Sequence, residues 1–317
     1  MEVRQEVVQA CCHGNSRRGK KMKVGFIGTG VMGSRMIKQF LQQHTVLIYN
    51  RSPEKTKELV ELGAERLDSV AAVAQMADII CTCLSMPGDV IGVYEGEKGI
   101  LAHARPGAIC IDFTTVGAET SRELFAEAAK QKIDYLDAPV SGGPEGVEQG
   151  TLTIMVGGKE AAFQTVEPLL ALIGAKVEFL GTSGSGSVAK LINQYLVGVH
   201  SLAAAEAMVT GAALGLDSEQ LYHILKVSYG NSRMLERHME QYVLPGNFEP
   251  GGALKYLHKD VKLANKLVEA AGLDQSTGAL AESVLSEAIN EGLGDFDMAS
   301  VIKLLEKKGQ VEVKREK

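Results

Sequence analysis

Two observations predict an α/β domain built on a doubly wound parallel sheet, followed by an all-helical C-terminal domain. The first part of the chain alternates short apolar runs with longer amphipathic segments, and the second part carries helical patterns only. A chain of 317 residues has room for about two domains at roughly 150 residues each.

Each short run reads as a strand. Residues 24–27, 45–49, 79–84, 108–111 and 133–136 are apolar over strand length. Helical spacing fills 31–43, 53–62 and 118–130. Strand and helix in alternation argue for a parallel sheet with helices on both faces. A strand at 151–156, a helix at 160–173 and a last strand at 176–180 follow. After Gly181-Thr182-Ser183-Gly184 the segments 187–214, 218–227, 233–242, 255–271 and 279–291 all read as helices. The domains are therefore 22–183, with strands and helices in alternation, and 184–309, helical throughout. Residues 310–317 are expected to be a tail. Residues 1–21 are polar, end in Arg17-Arg18-Gly19-Lys20-Lys21 and precede Met22. They are expected to be a disordered tail or an artefact of the assigned start.

Composition narrows the function. Net charge is −6, with 8 Phe, 8 Tyr and no Trp. A mildly acidic chain has no global electrostatic reason to bind nucleic acid or an anionic membrane, and few aromatics for base stacking. Five cysteines without a CxxC and seven scattered histidines suggest neither a disulfide framework nor a metal site. The most apolar stretch, 191–216, is interrupted by Asn193, Gln194, His200 and Glu206, so it reads as a buried helix. A cytoplasmic setting is expected.

The first strand runs into Gly28-Thr29-Gly30-Val31-Met32-Gly33, a G-x-G-x-x-G between strand and helix. Gly28 allows the tight turn, Gly30 lets the backbone approach a pyrophosphate, and Gly33 lets helix pack on strand. The helix N-terminus offers free N–H groups to phosphate. This context defines a Rossmann-type dinucleotide site. The second strand ends Asn50-Arg51-Ser52, with Lys55 beyond, and no Asp or Glu stands at the strand end to hold ribose hydroxyls. A guanidinium there grips a 2′-phosphate, so NADP is the preferred cofactor, with NAD possible.

Three further segments complete a pattern: Asp137-Ala138-Pro139-Val140-Ser141-Gly142-Gly143, then Gly184-Ser185-Gly186-Ser187-Val188-Ala189-Lys190-Leu191-Ile192-Asn193, then Lys259-Asp260-Val261. With the glycine loop, they make the chain resemble the 3-hydroxyisobutyrate dehydrogenase family of β-hydroxyacid dehydrogenases. The resemblance implies hydride exchange between a short β-hydroxyacid and its semialdehyde, and a homodimer or homotetramer. It places the family's catalytic lysine on Lys190. An ammonium there would stabilise charge growing on the carbonyl oxygen and donate a proton, and apolar neighbours would bring its pKa toward neutrality. Asn193, one helical turn on, shares its face. Ser141, Gly142 and Gly143 read as a pocket for the substrate carboxylate. By resemblance Lys259 lies near nicotinamide and acid, Thr115 at a strand end by the cofactor, and Leu84 and Pro87 on a loop over the nicotinamide. Three alternatives stay open. A 6-phosphogluconate dehydrogenase is longer, an imine reductase usually replaces the lysine, and a non-catalytic NADP-binding interaction protein would have lost it.

Overall fold

The computed structural model describes residues 22–273 and 276–315. The expected tail at 1–21, with Cys11 and Cys12, lies outside the described residues.

The strands are β1 (Lys23–Ile27), β2 (Thr45–Tyr49), β3 (Glu65–Arg66), β4 (Ile79–Thr82), β5 (Ile109–Asp112), β6 (Asp134–Asp137), β7 (Val140–Ser141), β8 (Leu152–Val156) and β9 (Gly174–Phe179). The helices of this part are α1 (Val31–Leu41), α2 (Lys57–Glu61), α3 (Val70–Met76), α4 (Pro87–Tyr94), α5 (Ile100–His103), α6 (Ala118–Lys130), α7 (Gly143–Glu148) and α8 (Glu160–Leu170). Six strands form one parallel sheet in the order β3-β2-β1-β4-β5-β6. The strand order reverses beside β1, so the carboxyl ends of β1 and β4 open a crevice where such sheets bind ligands.

The sheet is buried on both faces, as parallel sheets are. In β1, Val24 and Phe26 enter one apolar core with Met36 and Phe40 of α1, while Ile27 enters a second with Val73 of α3 and Tyr94 of α4. Cys81 and Cys110 are fully buried, and burial raises both thiols above their ordinary range.

The sequence led us to expect a single sheet, but β7, β8 and β9 form a second, smaller one. β7 runs antiparallel to β8, with Ser141 opposite Thr153. The turn of chain direction falls after Ser141, where Gly142 and Gly143 hold φ of 133° and 69°. Those values are open to glycine at little cost.

The remainder is helical: α9 (Ser185–Ala213), α10 (Ser218–Lys226), α11 (Arg233–His238), α12 (Leu254–Ala270), α13 (Thr277–Ala288) and α14 (Val301–Gly309). By length and composition α9 would suffice to cross a membrane. Here it is the central strut, packed against α12, α13 and α14 on one side and β6 and β8 on the other. Its N-terminus is fixed by Asp137 at the end of β6, whose buried carboxylate accepts from Gly184 N–H at 2.8 Å and Ser187 N–H at 2.9 Å. Gly186 is held so close that a Cβ would lie 2.2 Å from the Met155 carbonyl oxygen. Of the tail expected at 310–317, residues 310–315 are described, and Val313 among them is docked: it is 1% exposed in the helical core and its N–H donates to Glu306 Oε1 at 2.8 Å.

Candidate active site

The crevice is lined by loops leaving the carboxyl ends of the parallel strands. Gly28 follows β1 with φ 101°, and a Cβ there would lie 2.3 Å from the Cys83 carbonyl oxygen. A Cβ on Gly33 would lie 2.1 Å from the Gly28 carbonyl oxygen, while one on Gly30 would meet nothing within 4 Å. Two glycines are thus required by packing, and the middle one leaves room for a ligand. Thr29 N–H donates to Asn50 Oδ1 at 3.1 Å, and Asn50 Nδ2 donates to the Ser52 carbonyl at 3.0 Å. Asn50 thereby ties the glycine loop to the end of β2. Thr29 Oγ1 is buried without a hydrogen-bond partner. An orphaned hydroxyl beside an open glycine, at a helix start, fits the pyrophosphate of a dinucleotide.

Val31 stands 58% exposed at the helix start, and Met32 packs on the core. Arg51 extends into solvent with its side chain 90% exposed, and Nη1 lies 4.0 Å from Asp89 Oδ1 of α4. Ser52 and Lys55 belong to the turn that follows, joined by a Lys55 N–H to Ser52 carbonyl bond of 3.2 Å. Across the crevice, Leu84 N–H donates to Thr114 Oγ1 at 2.9 Å, and Pro87 opens α4.

Lys190 lies one and a half turns into α9 and is 8% exposed. Burial brings its ammonium down to about 8, against a smaller opposing effect of Asp260 and a further lowering by Lys259. Its Nζ donates to Gln194 Oε1 at 2.9 Å, and Asn193 Nδ2 donates to the same oxygen at 3.0 Å. Gln194 Nε2 in turn donates to Asp260 Oδ2 at 2.6 Å. Asp260 Oδ1 faces Lys259 Nζ at 2.7 Å, and Nζ also donates to the Thr115 carbonyl at 2.7 Å. One polar chain therefore runs from the strand end of β5 through α12 to Lys190, crossing from one domain to the other.

This chain joins Lys190, Asn193, Lys259 and Thr115, four of the residues expected from sequence. Thr115 enters through its carbonyl. Gln194 and Asp260 had been given no role, although Gln194 lies four residues from Lys190 and shares its helix face, and Asp260 lies next to Lys259. Ser141, Gly142 and Gly143 stand apart from the chain, at the corner between β7 and α7, on the small sheet against which α9 packs.

A dinucleotide crevice at the switch point of a parallel sheet, with a buried lysine on the helix that leaves it, defines a nicotinamide-dependent dehydrogenase. Comparison with known proteins agrees. Residues 23–181 match the NAD-binding domain of 6-phosphogluconate dehydrogenase, and residues 184–305 match the NAD-binding domain of NADP-dependent 3-hydroxyisobutyrate dehydrogenase. The chain is 36% identical to 2-(hydroxymethyl)glutarate dehydrogenase of Eubacterium barkeri, over 93% of this chain and 98% of that one. The solved 3-hydroxyisobutyrate dehydrogenase of Salmonella typhimurium superposes with a TM-score of 0.82 at 30% identity, covering 90% of this chain and 100% of that one. An imine reductase from Myxococcus stipitatus, at 23% identity and a TM-score of 0.60 over 89% of this chain and 99% of its own, shares the fold. The chain belongs to the 3-hydroxyisobutyrate dehydrogenase family of β-hydroxyacid dehydrogenases.

Proposed function

We propose that this protein interconverts a short β-hydroxyacid and its semialdehyde, prefers NADP, and uses Lys190 as the proton-transfer group. The observation that carries the reading is the buried Nζ of Lys190, brought to about 8 and oriented by Gln194. A group titrating there is accessible in both protonation states near neutral pH, which a reversible acid–base step needs.

A bound reduced nicotinamide would supply hydride to the aldehyde carbon. In that direction Lys190 gives a proton to the aldehyde oxygen as negative charge develops on it. In the oxidative direction the neutral amine takes the proton of the substrate hydroxyl. Asn193, through its bond to Gln194, is held beside Lys190 to orient the same oxygen. Ser141 and the backbone N–H groups of Gly142 and Gly143 are assigned to the substrate carboxylate, with Lys259 as a fixed nearby cation. The named relatives support the substrate class, since 2-(hydroxymethyl)glutarate and 3-hydroxyisobutyrate both carry a hydroxyl on the carbon β to a carboxylate.

Arg51 is assigned to the ribose 2′-phosphate. Its exposure and its loose contact with Asp89 leave it available to a ligand. The domain model for NADP-dependent enzymes matched by residues 184–305 points the same way. Initial rates on a panel of short semialdehydes and β-hydroxyacids, each with NADPH or NADH and with NADP or NAD, test the reading. Turnover of a semialdehyde carrying an acid group, faster with NADPH, is expected. Activity on cyclic imines alone, or equal use of both cofactors, would overturn it.

A further inference from the structure

Five carboxylates among the described residues are buried, and four of them are answered within the chain. Asp137 caps the start of α9, Asp260 faces Lys259, Asp297 holds Arg237 and Glu306 holds Lys303. Asp112, 1% exposed at the end of β5, has neither a cation nor a helix start. Its Oδ1 accepts from Thr82 Oγ1 at 2.7 Å and from Thr114 N–H at 3.1 Å, and its Oδ2 accepts from Tyr135 Oη at 3.3 Å. The titratable groups facing it are Tyr94 of α4, Tyr135 of β6, Cys110 of β5 and Cys83 after β4. Burial, with a smaller contribution from Asp112, raises each of them, so all four are neutral near pH 7. Its neighbour in register, Asp137, is committed to α9. Burial pushes the Asp112 carboxyl up to about 6, against the bonds from Thr114, Thr82 and Tyr135, which leaves it ionised at neutral pH.

The sheet sets the place of this charge. In a crevice of this kind the end of β2 takes the adenosine ribose and the glycine loop after β1 takes the pyrophosphate, so the other half of the dinucleotide extends over β4 and β5. Thr82 and Asp112 are the last residues of those two strands and lie side by side. Above them the crevice wall is residues 83–84 and 113–114, tied by the Leu84 N–H bond to Thr114 Oγ1.

We propose that Asp112 favours the oxidised cofactor: its buried carboxylate is balanced by the positive charge that the nicotinamide ring carries only in that form. Loss of hydride takes two electrons and one proton from the reduced ring and leaves one positive charge on it. A buried anion without a counter-charge is costly, and the cationic ring supplies the counter-charge on binding. Asp112 touches no reacting atom and acts through space. It offsets Lys190 and Lys259, whose positive charges disfavour a cationic ring, and makes the bound reduced cofactor a stronger hydride donor. At about 10 Å and an effective dielectric of about 20, one unit charge corresponds to roughly a tenfold change in affinity. The inference rests on the nicotinamide cofactor of the family, and not on the substrate, on proton transfer by Lys190 or on Arg51.

The test is equilibrium binding to the full chain, by calorimetry and by fluorescence of the reduced form, of NADP⁺ against NADPH and of NAD⁺ against NADH. No substrate is present, so the result is independent of the reaction proposed above. Asp112→Asn, which keeps the shape of the side chain, should weaken the oxidised form about tenfold and leave the reduced form within about twofold. In the wild type the preference for the oxidised form should grow as pH rises through about 6, and in Asp112→Asn the ratio should stay flat. The 2′-phosphate titrates near 6 in both redox forms of NADP and cancels in the ratio, and Lys190 stays charged below about 8. The pH series needs no substitution, so it decides the matter even where the variant does not fold. Equal effects of Asp112→Asn on both forms would assign the residue to structure alone and overturn the proposal. So would a wild-type ratio that does not move through this range, or one that moves identically in the variant.

Discussion

In the proposed reaction Lys190 gives and takes a proton near neutral pH, and its surroundings suit it to that role. Burial disfavours its charge and lowers it to about 8, while the Asp260 carboxylate pulls the other way. The reductive reaction needs the ammonium, so its rate should fall as pH rises through about 8, and the oxidative rate should rise over the same range. Stability moves too. The folded pKa lies below the unfolded 10.5, so between about 8 and 10.5 the unfolded chain binds more protons, and the penalty of burying this ammonium is relieved as pH rises, which raises stability. Replacing the lysine by alanine should lower kcat about 10²–10⁴-fold while leaving NADPH affinity, read by fluorescence, unchanged. Asp260→Asn removes the opposing charge, so the reductive profile should break at lower pH. An unmoved break would mean that Asp260 serves structure alone. Arg51→Asp should lower the ratio of kcat/KM for NADPH over NADH at least about tenfold, the loss of one charge-assisted pair. A wild type that already favours NADH would remove Arg51 from cofactor choice.

The elements that carry the site differ in how openly the sequence displays them. The glycine loop was legible because its constraint is local: strand, turn and helix are consecutive, and Gly28 and Gly33 are separated by one turn. Packing confirms both, since a Cβ on Gly33 would sit 2.1 Å from the Gly28 carbonyl oxygen. Gly33→Ala must therefore push α1 away from β1, at a cost of about 1–3 kcal/mol. The melting temperature should drop by several degrees and NADPH should bind more weakly, because the phosphate-facing N–H groups move with the helix. A variant with native melting and native affinity would show that the loop yields without penalty. Lys190 and Asn193 were legible as a helical pair. The Gln194–Asp260 bond was not, because it joins residues 66 apart whose meeting depends on how α9 and α12 cross. The small sheet was hidden for a similar reason. β7 is two residues long, and nothing in Val140-Ser141 distinguishes a reversal from another parallel strand until Gly142 and Gly143 are seen at positive φ. The last helix, α14, falls inside the helical domain expected to end at 309 but has no bounds of its own in the sequence reading, although Val301, Ile302, Leu304 and Leu305 repeat with helical spacing after Asp297, which is wholly buried and receives Arg237.

The described residues hold three apolar cores, one on each face of the sheet and one among the helices, and the polar chain that ends at Lys190 joins the sheet domain to the helical one. Their connection is more than the α9 backbone. Asp137 of the sheet domain receives the first N–H groups of α9, Ser121 and Ser187 hydroxyls meet at 2.9 Å, and Lys259 of α12 reaches the Thr115 carbonyl at 2.7 Å. These bonds are buried or nearly so, and breaking one leaves a polar group without a partner, which costs about 1–3 kcal/mol. Opening the junction would break several together, so the halves should unfold as one unit despite their separate cores. Calorimetry of the whole chain should show a single transition. NADPH at about 100 times its dissociation constant adds ~2.7 kcal/mol to the folded state, and the whole transition should rise with it. Two transitions, of which NADPH moves only the first, would mean that the cores melt independently and that the junction contributes alignment without cooperativity. In the coupled case Lys259→Met, which removes the tie from α12 to Thr115, should split or broaden the transition and reduce kcat, because Asp260, Gln194 and Lys190 are positioned through the same chain of bonds.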